Sequence, residues 1–123
     1  MTWWNEIMLG YSRIDPANCE FVGVAQVSDL PKGERLYLTI DELSIVVFNI
    51  AGGYFAIADL CSHDNGPLGD GDLDGMQIIC PRHGARFDIR TGKVLSLPAI
   101  VNIPAYPVRV LDGEIQIGLP REN

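Results

Sequence analysis

Short apolar runs, interrupted at close intervals by glycine or proline, make up most of the sequence. Thirteen glycines and eight prolines leave little room for long helices. Residues 34–40 alternate, with Leu36, Leu38 and Ile40 on one face and polar or aromatic side chains on the other. This period of two predicts a half-buried strand.

Pairs of such runs indicate two hairpins. Residues 43–49 and 54–60 are apolar and are joined by a segment that contains two consecutive glycines. Residues 108–111 and 114–117 flank the dipeptide at 112–113, Asp-Gly, which is typical of tight turns between antiparallel strands. Each pair therefore predicts two neighbouring antiparallel strands.

Shorter elements continue the pattern in the middle of the chain. Residues 76–80 form another apolar run after a turn-like segment at 72–75. Thr91-Gly92 indicates a further turn. The expected fold class is all-β, with antiparallel β-sheets arranged as a sandwich or small barrel.

Residues 1–18 differ from the rest of the chain. Trp4, Ile7 and Met8 could form one apolar face of a short helix. We interpret this N-terminal extension as an arm that covers exposed core, with a docking or dimer contact as the alternative. Residues 19–120 are expected to form one domain, because 123 residues suit a single hydrophobic core.

Net charge and cysteine content limit the kinds of binding partner and the cellular compartment that we expect for this protein. Nine basic against sixteen acidic residues give a formal net charge of −7, which opposes nucleic-acid binding and suits a partner with a basic docking patch. No apolar segment approaches the roughly 20 residues that span a bilayer, and the first residues lack the pattern of a secretory signal. Three cysteines, an odd number, favour a reducing compartment over a disulfide framework, so a cytoplasmic protein is expected.

Two short motifs hold the candidate chemistry. The chain has two histidines, and each lies within three residues of a cysteine, in Cys61-Ser62-His63 and in Cys80-Pro81-Arg82-His83. Each motif follows an apolar run and leads into glycine, where the backbone can bend closely around a bound group. Cys61, His63, Cys80 and His83 are therefore the candidate metal ligands.

Two kinds of metal site use such a ligand set. A tetrahedral zinc ion is one, but zinc sites commonly place two cysteines on one arm and two histidines on the other. Here each arm has one cysteine and one histidine, as expected if two metal ions lie side by side, one bound by both thiolates and the other by both imidazoles. A diiron unit with two sulfides and four thiolates carries two negative charges when oxidised, whereas two thiolates leave it neutral, so adding an electron costs less.

The motif CSH, sixteen intervening residues and CPRHG resembles the Rieske [2Fe–2S] cluster motif, and the similarity extends from about Phe21 to Leu119. The segment CPRHGARFDIRTGKVLSLPA is similar to the ferredoxins that serve bacterial Rieske non-haem iron (aromatic-ring) dioxygenases. This resemblance implies a Rieske-like fold with a cluster-binding subdomain of two loops at about 59–99. It also implies that Leu97-Pro98-Ala99 belongs to a third loop that covers the cluster, where proline fixes the backbone.

The resemblance further implies one [2Fe–2S] cluster, with Cys61 and Cys80 on the inner iron and His63 and His83 on the outer iron near the surface. The expected function is that of an electron carrier rather than an enzyme, because no further histidine remains for the mononuclear iron of an oxygenase subunit. Its expected partners are a flavin- or NAD(P)H-dependent ferredoxin reductase and a terminal oxygenase, docking transiently at the exposed histidine edge. The alternatives are carriage to another acceptor, in iron–sulfur assembly or nitrite reduction, and a structural zinc-binding interaction module.

Two departures separate the chain from the Rieske proteins of respiratory bc-type complexes. Those relatives have a disulfide between the cluster loops at positions that match Gly66 and Arg82. They also have serine and tyrosine hydroxyls where this chain has Ala85 and Phe87. Because hydrogen bonds to cluster sulfur stabilise the reduced state, their absence predicts a low midpoint potential, about −150 mV.

Several residues outside the ligand set have an open role. Cys19 is expected to be a free structural thiol. Charged residues flank both motifs. The acidic ones are expected either to be solvated or to steer a basic partner. The basic ones are expected either to offset the charge of the reduced cluster or to fix a loop carboxylate. The acidic residues are Asp59, Asp64 and Asp70, and the basic ones are Arg82 and Arg86.

Overall fold

The structure, a computed structural model, describes residues 14–121, and within them it consists mainly of antiparallel strands. The strands are β1 (Cys19–Gln26), β2 (Arg35–Ile40), β3 (Leu43–Ile50), β4 (Gly53–Ala58), β5 (Asp72–Asp74), β6 (Gln77–Ile79), β7 (Arg86–Asp88), β8 (Ala105–Tyr106), β9 (Val108–Leu111) and β10 (Glu114–Pro120). Two 3₁₀ helices, Pro16–Asn18 and Val27–Asp29, flank β1. The short helix expected around Trp4, Ile7 and Met8 lies outside the described residues.

The strands form three antiparallel sheets. Their orders are β1-β10-β9, β2-β3-β4-β8 and β5-β6-β7. The all-β expectation is confirmed. None of the helices within residues 14–121 has the length and apolar character needed to cross a membrane.

Strand β3 connects the three sheets, because its two faces pack into two different apolar clusters. Ile45 and Val47 pack in a cluster with Ile115 of β10, so this face of β3 covers the β1-β10-β9 sheet. Val46 and Phe48 point the other way, into a cluster that also contains both motif cysteines. A strand buried on both faces needs an unbroken apolar run, which is the pattern seen at 45–48. The β2-β3-β4-β8 sheet is therefore the central layer.

Both predicted hairpins are confirmed, as β3–β4 and as β9–β10. The turn-like interpretation of 72–75 is wrong for most of its length, because 72–74 is strand β5, paired with β6. Strand propensity depends strongly on context, and pairing with β6 outweighs the unfavourable aspartates here.

Sequence reasoning missed β1. Gly23 interrupts its alternation, and the register with β10 shifts between Gly23 and Ala25. A bulge of this kind breaks the period of two on which strand prediction depends. The space above Gly23 is filled by the carboxylate of Glu114 from β10, so the irregularity matches its partner strand.

Candidate metal centre

The two motifs lie in loops of the same backbone design. The first ligand loop (residues 61–67) follows β4, and the second ligand loop (residues 80–85) follows β6. In each loop the cysteine N–H donates to the carbonyl oxygen of the fifth residue after it. Cys61 N–H reaches Gly66 O at 2.8 Å, and Cys80 N–H reaches Ala85 O at 2.7 Å.

A second hydrogen bond completes each turn. The cysteine carbonyl oxygen accepts from the fourth residue after it, from Asn65 N–H at 2.7 Å in the first loop and from Gly84 N–H at 3.0 Å in the second. Asn65 and Gly84 both have positive φ, 60° and 78°. Asparagine and glycine tolerate this left-handed conformation best, so two different sequences fold into the same turn.

These turns bring the candidate ligands together as two pairs. Cys61 and Cys80 are buried in the same group of core residues and are not bridged by a disulfide. His63 and His83 are exposed, with ring centroids 5.0 Å apart and an interplanar angle of 82°. Potential donor atoms of the two histidines and of Asp64 all lie within 4.8 Å of one another. The thiols therefore face the core and the imidazoles face solvent.

Burial raises the pKa of the Cys61 thiol, and the neighbouring Cys80 thiol raises it as well. The backbone N–H groups of His63 and Asp64 act in the opposite direction and lower the pKa of this thiol. N–H groups near the sulfur help to stabilise a thiolate when a bound metal compensates its negative charge, which is unfavourable in a buried site. The first ligand loop is thus preorganised to hold a sulfur anion.

The third loop, residues 95–103, lies against the first ligand loop, since the Ser62 hydroxyl donates to the carbonyl oxygen of Val101. Ala99 is buried in the same cluster as the motif cysteines. Leu97, Ile100 and Val101 are exposed, at 76%, 77% and 59% of their maximum area. We call these three side chains the apolar rim.

Comparison with known proteins decides the family. Residues 20–107, most of the chain, match the Rieske [2Fe-2S] domain family. The chain belongs to this family.

Two kinds of relative support the assignment of this Rieske domain. It is 43% identical to the 3-phenylpropionate/cinnamic acid dioxygenase ferredoxin subunit of Escherichia coli (strain K12), over 95 residues that cover 76% of this chain and 89% of that protein. The ferredoxin of carbazole 1,9a-dioxygenase from Nocardioides aromaticivorans IC177 is 33% identical with a TM-score of 0.74, covering 82% of this chain and 98% of that one. A chain in the complex of reduced oxygenase and oxidized ferredoxin of carbazole 1,9a-dioxygenase is 28% identical with a TM-score of 0.75, covering 84% and 96%.

The Rieske domain is therefore an electron carrier with one Rieske-type [2Fe–2S] cluster, and it is not itself a catalytic enzyme. Its residues fit such a cluster: two thiols buried in the same group of core residues and two adjacent, exposed imidazoles come from the same pair of loops. Soft thiolates suit sulfide-bridged iron, and neutral imidazoles suit an iron near the surface.

Arg82 of the Rieske domain fixes a loop carboxylate, which was one of its two expected roles. Its guanidinium donates to both oxygens of Asp64, from Nε at 2.5 Å and from Nη2 at 2.8 Å. Nη1 donates to the carbonyl oxygen of Pro67 at 2.6 Å. These hydrogen bonds, with one from Gly66 N–H, hold the pKa of Asp64 well below its usual range. Arg86 pairs instead with Asp74, at 2.9 Å.

The interpretation of the three loop aspartates as simply solvated charges is wrong. Besides Asp64, Asp59 accepts hydrogen bonds from the N–H groups of Leu68 and Gly69, at 2.9 and 2.6 Å. Asp70 accepts from the hydroxyl of Tyr37. Each carboxylate is thus part of the loop framework of the Rieske domain.

Sequence reasoning missed Arg35 and Tyr37, both on β2. Arg35 donates to the carbonyl oxygens of Gly69 and Gly71, the latter at 2.8 Å, and Tyr37 donates to Gly69 O at 3.1 Å. They attach the segment after the first ligand loop to the central sheet. No local pattern marks them, because their partners lie more than thirty residues away along the chain.

Cys19 lies in β1, outside both ligand loops. It is buried, free of any disulfide, and its thiol donates to the carbonyl oxygen of Asp15 at 3.3 Å. This placement agrees with a structural thiol.

Proposed function

We propose that Cys61 and Cys80 bind the inner iron of the [2Fe–2S] cluster and that His63 and His83 bind the outer iron. The observation that carries the proposal is the pairing itself: two thiols buried in the same group of core residues, and two exposed imidazoles with centroids 5.0 Å apart. When bound, the cluster supplies one-electron redox chemistry. The chain shields the sulfur side from water and leaves the imidazole side open to a partner.

We propose a specific route for the electron. It comes from a flavin- or NAD(P)H-dependent ferredoxin reductase and goes to a terminal Rieske non-haem iron oxygenase. The dioxygenase ferredoxin subunit of Escherichia coli, 43% identical, supports this route, as does the similarity to the carbazole dioxygenase ferredoxin.

Docking occurs at the exposed histidine edge in this proposal. The apolar rim belongs to the loop that contacts the first ligand loop, so a partner that covers this edge also buries apolar side chains. The net charge of −7 favours a partner with a basic docking patch. A small interface with charge steering suits brief encounters, which a carrier serving two proteins requires.

The organisation of the chain follows from the same proposal. Residues 19–120 form the Rieske domain, its cluster-binding part is at about 59–99, and residues 1–18 are an extension. The β5-β6-β7 sheet and both ligand loops fall within 59–99, which supports this division. The free cysteines agree with a cytoplasmic location.

The ligand assignment is tested by single substitutions. Cys61→Ser and His63→Ala should each abolish or strongly reduce bound iron and acid-labile sulfide, along with the rhombic electron-spin signal of the reduced protein. Cys19→Ser is the matched control, because it removes a buried thiol outside the ligand loops, and it should retain the cluster. A colourless wild-type protein that contains zinc would contradict the proposal.

The route is tested by reconstitution. The wild-type protein should support turnover when it is combined with a ferredoxin reductase and a terminal aromatic-ring oxygenase. Leu97→Asp, which places a charge on the apolar rim, should raise the ferredoxin concentration at half-maximal turnover while iron and sulfide content stay normal. Unchanged turnover with Leu97→Asp would exclude the rim as the docking surface.

A further inference from the structure

The two imidazoles belong to separate loops, so contacts between the loops must fix the position of one imidazole relative to the other. Each ligand loop is closed by hydrogen bonds within itself. Among residues 14–121, no backbone hydrogen bond outside the strand ladders joins the first ligand loop to the second. The two imidazole rings meet edge to face, and within residues 14–121 the hydrogen bonds that join the two loops come from one side chain, that of Arg82.

The position of Arg82 makes this connection direct. Arg82 immediately precedes His83 in the second ligand loop, and its partner Asp64 immediately follows His63 in the first. The guanidinium donates to both carboxylate oxygens of Asp64 and to the carbonyl oxygen of Pro67, so three hydrogen bonds join the two loops. Asp64 is itself fixed, because its Oδ1 accepts from Gly66 N–H at 3.0 Å.

Gly66 provides the space for this arrangement. A Cβ atom at this position would lie 2.7 Å from Cζ of Arg82 and 2.8 Å from Nη2, closer than side chains approach one another. The guanidinium therefore packs on bare backbone. Because three hydrogen bonds hold it there, it cannot move aside without losing some of them.

We propose that Arg82 and Asp64 are positioning residues that form a loop clasp, which keeps His63 and His83 together on the outer iron. This inference rests on the proposed ligand set. A planar, bidentate ion pair fixes both distance and orientation between two chain segments, which a single-point contact does not. Residues that orient metal ligands from outside the ligand shell typically change metal affinity by about 10- to 100-fold when they are removed.

Three variants isolate the clasp in the intact holoprotein. Arg82→Gln removes both the positive charge and the planar guanidinium group, whereas Arg82→Lys keeps the positive charge but loses the guanidinium group. Gly66→Ala keeps Arg82 and Asp64 and displaces the guanidinium by its methyl group alone. Each should speed loss of the cluster to excess chelator, measured by visible absorbance, by about 10-fold or more relative to wild type. Gly66→Ala is the sharpest of the three, because it leaves both Arg82 and Asp64 in place.

The matched controls are Arg86→Gln and Asp74→Asn. They break an ion pair of similar length in the same part of the chain that does not join the ligand loops. These controls should release the cluster at the wild-type rate. Asp64→Asn combined with Arg82→Gln should be no worse than Arg82→Gln alone, since both act through one contact.

A spectroscopic readout separates positioning from general destabilisation. The clasp variants should change the principal g-values of the reduced cluster, which depend on the outer-iron ligands, and the controls should not. Failure of Arg82→Gln to retain any cluster, with normal loading of Arg86→Gln, would also support the clasp. Wild-type rates and g-values in both Arg82→Gln and Gly66→Ala would overturn it. Absence of iron and labile sulfide from the wild type would instead overturn the proposed function.

Discussion

At the scale of single residues, the protein shields two of its candidate ligands from water and leaves the other two accessible to a partner. The motif cysteines are buried, whereas the motif histidines are exposed. Ala85 and Phe87, which follow the second motif, are fully buried and contribute no hydroxyl group. The surroundings of the cysteine pair are therefore apolar on that side, which favours a weakly negative or neutral cluster.

Phe87→Tyr tests the expected low potential. The wild-type midpoint is expected at about −150 mV. A hydroxyl that donates to a ligand thiolate and stabilises the reduced state by about 1 kcal/mol would raise a one-electron midpoint by about 40 mV. Phe55→Tyr is the control. Its ring is partly buried and packs against the same group of apolar core residues as Phe87, and the substitution should leave the midpoint unchanged. A wild-type midpoint above zero, measured by redox titration, would contradict the prediction.

Asp88 gives a prediction for acid stability. Burial opposes ionisation of Asp88, but hydrogen bonds from the Arg90 side chain and N–H outweigh it and hold the pKa of Asp88 below its usual value. The ion pair is 2.9 Å long. A carboxyl group with a lowered folded-state pKa adds stability above its unfolded pKa, about 4, and loses it as pH falls through the folded pKa.

We therefore expect Asp88→Asn to reduce the free energy of unfolding by about 1 kcal/mol at pH 7. The difference from wild type should shrink as the pH falls below about 4, where the unfolded carboxyl takes up a proton, and should be lost as the pH passes through the lower folded-state pKa. Urea unfolding of both proteins at a series of pH values measures this. A difference that stays constant down to strong acid would rule out the ion pair as its source.

At the scale of elements, tight turns set the register of the hairpins. In the β9–β10 turn, Asp112 and Gly113 both have positive φ, 52° and 78°. Two successive residues of this kind match the right-handed twist of the flanking strands. This explains why a dipeptide was enough to predict the hairpin from sequence.

Gly113→Ala should destabilise the protein by about 1 kcal/mol, because a Cβ is unfavourable in the left-handed conformation. Gly113→Asn should cost less, since asparagine tolerates that conformation better. Thermal unfolding of the two variants beside wild type gives the comparison. Equal losses for alanine and asparagine would show that the positive φ is not the cause.

At the scale of the whole molecule, the two apolar clusters divide the protein into parts with different dependence on the metal. One cluster joins the β1-β10-β9 sheet to the central β2-β3-β4-β8 sheet and contains neither motif cysteine. The other contains Cys61 and Cys80 and packs the β5-β6-β7 sheet and the third loop on the central sheet. Metal binding adds its free energy to whichever part the ligands connect.

Removal of iron should therefore loosen the molecule unevenly. After chelation, amide hydrogen exchange should increase most within about 59–99, while amides of β3 and β10 stay protected. Far-ultraviolet circular dichroism should retain most of its β-sheet signal. Mass spectrometry of exchanged peptides from the holoprotein and the chelated protein tests this. Uniform loss of protection across all sheets would show that the fold depends on the cluster as one unit.

Features that depend on residues close together along the chain were predictable from the sequence. Alternation marked β2, apolar runs marked β3 and β4, an Asp-Gly turn marked the last hairpin, and two Cys–His motifs marked the candidate ligands. These depend on local geometry, such as a side-chain period of two or a turn that needs positive φ. Other contacts between distant segments became evident only in the folded protein. The bulged β1, the attachment of 67–71 by Arg35 and Tyr37, and the grip of Arg82 on Asp64 need partners that only folding brings near. Hydrogen bonds and charge pairs act over a few ångströms in space, whatever their separation along the chain, and so leave no periodic trace in the sequence.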